Sequence, residues 1–87
     1  MSQALMTFSS STTANRLKKL AALEGIGGVF LMQTPRAISQ HGCSYCLRFS
    51  QNTLPALLEI ADQYHVNYGQ VYKELTDETG RKMYQKL

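Results

Sequence analysis

Two cysteines, Cys43 and Cys46, are the residues of this sequence best suited to chemistry. A Cys-x-x-Cys pair can exchange dithiols, supply two of the four ligands of a metal, or present a reactive thiolate beside a helper group. Cys43 ends a polar loop over residues 35–43, where exposure is expected, whereas Cys46 lies inside a predicted strand. The setting favours Cys43 as the reactive cysteine and Cys46 as a resolving or merely structural one.

Three side chains close to Cys43 in the sequence, Arg36, His41 and Arg48, can favour its ionised form. A nearby cation stabilises a thiolate, and the thiolate is the nucleophile. We therefore predict Cys43 and Cys46 as the reacting residues and Arg36, Arg48 and His41 as binding residues, with His41 as a possible proton shuttle. The plainer interpretation is that the arginines are solvated surface charges and that His41 is an ordinary loop residue.

The sequence does not favour a metal or a thioredoxin-like site. Zinc takes four ligands, and without a second Cys-x-x-Cys the set would need Cys43, Cys46, His41 and His65, or sharing between two copies. We expect no resident cofactor, and zinc is the less favoured alternative. The motif runs into a predicted strand, whereas the first cysteine of a thioredoxin motif caps a helix, so dithiol exchange is also less favoured.

Composition predicts one small globular domain. A chain of 87 residues can bury one modest core, and 44% hydrophobic with 17% charged residues is typical of a folded chain. These values exclude a multidomain enzyme and a coiled coil. The formal charge is +3, but there is no run of five basic residues, so a nucleic-acid surface is not predicted.

The N-terminal segment lacks the basic region of a signal peptide, and no stretch approaches the roughly 18 apolar residues of a membrane span. We therefore expect a cytoplasmic protein. In a reducing cytosol, two cysteines are more often reactive or metal-binding than joined in a structural disulfide.

Apolar periodicity and turn residues predict six elements. Strands are expected at 4–8, 29–33, 45–50 and 68–75. Two helices are expected, one at about 14–24 and one from residue 52 to His65 or Asn67. Ser9 to Thr13 offer N-caps for the first helix, which should end near Gly25, and Asn52 should cap the second, with Pro55 in its first turn. Residues 1–75 then form a single α+β domain, and 76–87 are a C-terminal tail or a short helix.

The order β-α-β-β-α-β predicts a ferredoxin-like fold, a four-stranded antiparallel sheet with both helices on one face. The other face would be bare in a monomer. The first two strands carry apolar residues on both faces, as in Leu5 beside Met6 and Phe30 beside Leu31. We therefore expect a homodimer through the open face or an edge.

This topology would bring the cysteine loop to the end of the sheet at which the first helix begins. The end of the second helix and the start of the fourth strand lie at the same end, so His65 and Tyr68 are more distant neighbours of the loop.

One set of residues resembles a known family. The segment Thr34-Pro35-Arg36-Ala37-Ile38-Ser39, then Cys43, then Leu47-Arg48-Phe49 is similar to the pattern of a small bacterial family of selenium/sulfur carrier-like proteins. The likeness runs from about Leu5 to Glu74. It implies a compact α/β domain whose loop cysteine, at the position of Cys43, holds a persulfide or a selenium adduct.

From this resemblance we predict a carrier rather than an independent enzyme. Cys43 would take sulfur or selenium from a donor such as a cysteine desulfurase and pass it to an acceptor enzyme. Arg36 and Arg48 would stabilise the anion, and Cys46 would release the atom by forming a disulfide. The alternatives are an interaction or regulatory module with incidental cysteines, and a thiol-redox or metal-binding Cys-x-x-Cys domain.

Overall fold

A computed structural model describes residues 2–39 and 44–87 of the chain, and both Cys43 and His41 lie outside the described residues. The described part contains two α-helices and one antiparallel sheet of five strands. Its elements, in chain order, are β1 (Gln3–Phe8), α1 (Ser11–Leu23), β2 (Phe30–Gln33), β3 (Tyr45–Ser50), α2 (Leu54–Gln63), β4 (Val71–Thr76) and β5 (Lys82–Lys86).

The strands lie in the order β2-β3-β1-β4-β5, and every neighbouring pair is antiparallel. The prediction of an α+β fold is confirmed, but the prediction of four strands is wrong. Residues 76–87, for which the sequence left a tail or a short helix open, include a fifth strand paired with β4.

A tight turn makes this fifth strand possible. The Asp77 carboxylate accepts hydrogen bonds from the backbone N–H groups of Thr79 and Arg81 at 2.9 Å and from the Thr79 hydroxyl at 2.7 Å. Gly80 takes the left-handed φ of +85° that a hairpin loop of this kind requires. Gly80 therefore turns the chain back along β4, in the segment predicted to be a tail or a short helix.

The helices begin in two different ways. Ser10 caps α1, since its hydroxyl accepts from the Thr12 N–H at 3.1 Å, as the row of hydroxyl residues predicts. Before α2 the chain makes a 3₁₀ turn, Gln51–Thr53, so the expected cap Asn52 lies inside that turn and Thr53 holds the cap position. Pro55 lies in the first turn of α2, as predicted.

Both helices end in the same hydrogen-bonded turn. After α1, the N–H of Ile26 bonds to the carbonyl of Ala21 and that of Gly25 to Ala22. The same two bonds recur after α2, where His65 holds the place of Gly25. That place requires a left-handed backbone, with φ +81° at Gly25 and +55° at His65.

The helices cover one face of the sheet. Alternate residues of β1 and β3 point to this face and pack with the apolar sides of α1 and α2. The buried members of this core are Ala4, Met6, Phe8, Ala14, Leu17, Ala21, Val29, Leu47, Phe49, Leu57, Ile60, Ala61 and Val66.

The opposite face of the sheet, which we call the open face, has a smaller apolar cluster of its own. Leu5, Ile38 and Cys46 are buried there, and Tyr72 and Tyr84 pack against them. Ile38 comes from the loop after β2, so a segment of chain covers part of this face. Phe30 on β2 remains 63% exposed, and the expected homodimer stays a prediction.

The strand register brings the start of α1, the start of β3 and the chain before β4 to the same end of the sheet. Phe8, two residues before the cap of α1, pairs with Tyr45 at the start of β3. On the other side of β1, Thr7 exchanges backbone hydrogen bonds with Gly69 and Gln70, just before β4. Among the described residues, no helix is long and apolar enough to cross a membrane.

We predict that His65→Gly stabilises the protein by roughly 0.5–1 kcal/mol, because glycine adopts a left-handed backbone without the steric cost that a Cβ brings. Urea unfolding monitored by circular dichroism measures this change. His65→Ala keeps the Cβ and should not bring the gain. A His65→Gly protein less stable than the His65→Ala protein would contradict the backbone explanation.

Candidate functional site

Three of the five predicted site residues lie in the described part of the chain. Cys46 and Arg48 are in β3, two residues apart, and therefore on the same face of the sheet, the open face. Arg36 is exposed in the turn that follows β2. Cys43 and His41 lie outside the described residues, so their predicted roles stay predictions.

The segment over residues 34–39, which leads towards Cys43, is held against the sheet. The Thr34 N–H donates to the Ser44 carbonyl at 3.0 Å, continuing the pairing of β2 with β3. The N–H of Ile38 then donates to the carbonyl of Pro35 at 3.0 Å. This turn seats the Ile38 side chain on Leu5 and Cys46, so the segment covers the thiol.

Cys46 carries a free thiol that is completely buried. Burial raises the pKa of this thiol to about 11, although the neighbouring Thr34 hydroxyl and the Arg48 charge each lower it in part and Glu74 raises it. The sulfur has a weak contact of 3.9 Å to the Gln33 carbonyl. A thiol with this pKa is protonated at neutral pH, and the role of Cys46 as a resolving or structural cysteine stays a prediction.

Two polar atoms beside this thiol are buried and have no hydrogen-bond partner among the described residues. They are the Thr34 hydroxyl oxygen and the Arg48 Nε. Buried polar groups are normally hydrogen-bonded, so each exception calls for a physical reason. A thiolate at Cys46 would accept a hydrogen bond from Thr34 and would be attracted by Arg48, and both effects favour the charged form.

Arg48 and Glu74 form an ion pair across the sheet. The Arg48 Nη2 donates to Glu74 Oε1 at 2.7 Å, spanning β1 between them. The Glu74 side chain is only 7% exposed, and the Lys82 Nζ lies 4.0 Å from the same oxygen. Burial and then the Glu74 charge raise the pKa of Tyr84, which shares this part of the face.

Sequence reasoning missed Thr34 as a neighbour of the thiol, as well as Glu74, Lys82 and Tyr84. Thr34 directly follows the strand predicted at 29–33, and nothing in its local pattern connects it with Cys46. The signal for Lys82 and Tyr84 was present in Asp77 and Gly80, typical of a short hairpin loop between two strands. Given that hairpin, the alternation of side chains along the two paired strands would have placed Lys82 and Tyr84 on the same face as Glu74.

The arrangement places a covered thiol next to a guanidinium on an otherwise open sheet. Arg48 is 34% exposed at its side chain, so it faces both the thiol and the solvent. It has five N–H donors, of which one is held by Glu74. The face can therefore attract an anion or an acidic surface while Ile38 shields Cys46 from solvent.

Comparison with known proteins connects the chain to one family. Residues 3–73 match the model of the family described as "Putative Se/S carrier protein-like". The matched stretch contains the predicted site residues Arg36, His41, Cys43, Cys46 and Arg48. No curated protein and no solved structure matched the chain.

We predict that Glu74→Gln destabilises the fold by about 1–3 kcal/mol, because Arg48 then loses the charge that compensates its partial burial. Urea unfolding at low and high salt measures this loss. Glu78→Gln, in the exposed hairpin turn, removes the same charge and should change stability by less than about 0.5 kcal/mol. Equal effects of the two substitutions would contradict a structural role for the ion pair.

We also predict that the Cys46 thiol reacts slowly with a disulfide reagent in the folded protein. In a Cys43→Ser variant at pH 8, its thiolate fraction should be about a hundredfold below that of a thiol of ordinary pKa. The rate should increase as the pH approaches 11, and unfolding in guanidinium should remove the protection. A native rate equal to the denatured rate would contradict burial of the thiol.

Proposed function

We propose, from the premise that the chain belongs to the Se/S carrier protein-like family, that it carries sulfur or selenium on Cys43 between a donor and an acceptor enzyme. The observation that carries the proposal is the family match over residues 3–73, a stretch that includes Cys43. The chain would act as a carrier and not as an independent enzyme, working in the cytoplasm.

Loading is a thiol–persulfide exchange. The Cys43 thiolate attacks the terminal sulfur of a persulfide on the donor, such as a cysteine desulfurase. A new sulfur–sulfur bond forms on Cys43 as the donor's own sulfur–sulfur bond breaks. The donor cysteine leaves as a thiolate and takes up a proton, so no outside oxidant or reductant is needed.

Arg36 and Arg48 would stabilise the anionic persulfide or selenium adduct, and His41 would move the proton. Arg48 supports this role because it is partly exposed, stands beside Cys46 on the open face and keeps N–H donors beyond the one bonded to Glu74. Arg36 supports it because it is exposed in the segment that leads towards Cys43.

Cys46 would release the atom. Its thiolate would attack the inner sulfur of the Cys43 persulfide, form a disulfide with Cys43 and expel hydrosulfide, so the carried sulfur is reduced as the two cysteines are oxidised. An external dithiol would then reset the pair. The burial of Cys46 and its raised pKa would delay this discharge until Ile38 moves away.

The fold assignment that accompanies this proposal is a ferredoxin-like unit, β1 to β4 with α1 and α2, to whose edge β5 is added. The element order β-α-β-β-α-β supports it.

A second candidate function is an interaction module in which the cysteines are incidental. Phe30 is 63% exposed and Met32 is exposed on the same face of β2, and such side chains are typical of a contact surface. This candidate predicts that a chain with both cysteines changed to serine folds and still binds its partner.

We predict that incubation with a cysteine desulfurase and cysteine adds one sulfur atom to the protein. Native mass spectrometry under non-reducing conditions measures the shift, and fragmentation should map it to Cys43. Cys43→Ser should abolish it because the accepting thiol is lost, whereas Cys46→Ser should load normally and discharge more slowly.

Other spectra would point away from the carrier. Loss of two hydrogens without sulfur would favour a redox pair, and a bound metal would favour a ligand site. An unmodified chain in every condition would favour the interaction module, as would sulfur uptake that survives Cys43→Ser.

A further inference from the structure

The part of the open face that lies beyond the cover of Ile38 is apolar at the β2 edge. Phe30 and Met32 point to this face because their cross-strand partners in β3 are Arg48 and Cys46. Both side chains are exposed on this short strand of four residues. An exposed aromatic residue beside an arginine is a combination typical of the core of a protein interface.

The opposite edge of the same face is basic. Lys82 and Lys86 point to it from β5, since they pair with Thr76 and Tyr72 of β4. The only acidic side chain among the described strand residues of this face is Glu74, which Arg48 already neutralises. Lys82 also lies 4.0 Å from this carboxylate. The three bases Arg48, Lys82 and Lys86 still outnumber the one acid, so the open face carries excess positive charge next to its apolar edge.

Charge decides which occupant fits this surface. Two copies of the chain stacked through their open faces would bring positive surfaces together, and like charges across an interface oppose association. An acidic surface with apolar residues at its centre would complement both the lysines and Phe30.

We propose that the open face docks onto an acidic, partly apolar surface of the enzyme that donates the sulfur or selenium. This inference rests on the proposed function and names its partner surface. The segment over residues 34–39 crosses the same face, so the docked enzyme lies beside the chain that leads to Cys43. The contact is a transient one, because a carrier must leave its donor after loading.

The test compares two sulfur donors, a bacterial cysteine desulfurase with cysteine, and glutathione persulfide. The face variants are Phe30→Thr, which keeps a good strand residue, and the double variant Lys82→Gln/Lys86→Gln. The controls lie at exposed positions of α1. Leu23→Gln removes a large apolar side chain, as a control for Phe30→Thr, and Lys18→Gln/Lys19→Gln removes two positive charges, as the β5 double variant does.

Each face variant should raise the desulfurase's KM for this chain as sulfur acceptor about tenfold, which corresponds to a loss of roughly 1.4 kcal/mol in binding. Loading by glutathione persulfide should be unchanged. Surface plasmon resonance should show the same loss of affinity. In the unsubstituted chain, affinity for the desulfurase should fall as salt is added, and the lysine variant should lose part of that salt dependence. The α1 variants should behave as the unsubstituted chain.

Failure of docking and failure of the carrier are distinguishable. Loading from both donors without any effect of the face variants would overturn docking and leave the carrier standing. Desulfurase binding that depends on the face, without loading from either donor, would support docking and overturn the carrier.

Two further results would overturn the docking proposal. The first is a chain that neither binds the desulfurase nor receives sulfur from it. The second is a dimer in analytical ultracentrifugation that Phe30→Thr dissociates, since a second copy would then occupy the face.

Discussion

The alternation of side chains along β3 is the constraint on which the rest of the structure depends. Leu47 and Phe49 enter the core beneath the helices, so Cys46 and Arg48 must point to the opposite face. A shift of one residue in the pairing register of β3 would bury the Arg48 guanidinium under the helices and expose Leu47 and Phe49. The energetic cost of that burial and exposure excludes the shifted register. Packing on one face therefore decides which chemistry the other face can present.

The open face combines groups that would be unfavourable separately. The fully buried Cys46 thiol lies close to the Arg48 guanidinium. The Nε of Arg48 is buried and has no hydrogen-bond partner in the described part of the chain. Glu74 limits the cost of that guanidinium because the two charges meet at 2.7 Å across β1. The pair depends on β5 as well, since β5 covers the far side of β4 and brings Lys82 within 4.0 Å of Glu74.

In the proposed carrier, the two cysteines of the Cys-x-x-Cys motif have different roles. Cys46 is covered by Ile38 and remains protonated at neutral pH, whereas Cys43 follows a segment whose Arg36 is exposed. In the proposed carrier, this difference orders the chemistry, because loading precedes any attack by the covered thiol. Docking through Phe30 and the β5 lysines would place the donor enzyme next to that segment.

The sequence by itself determined the local elements. The apolar repeat of α1, Pro55 at the start of α2 and the period of two in β3 are readable because they record contacts within a few residues. They predicted the β-α-β-β-α-β order and placed Cys46 and Arg48 on one strand. Only the tertiary structure decided that Thr34, Ile38 and Glu74 surround them, and that residues after Gly80 add a strand. Those contacts join positions far apart in the chain, and their energy comes from pairing and burial that no local pattern encodes.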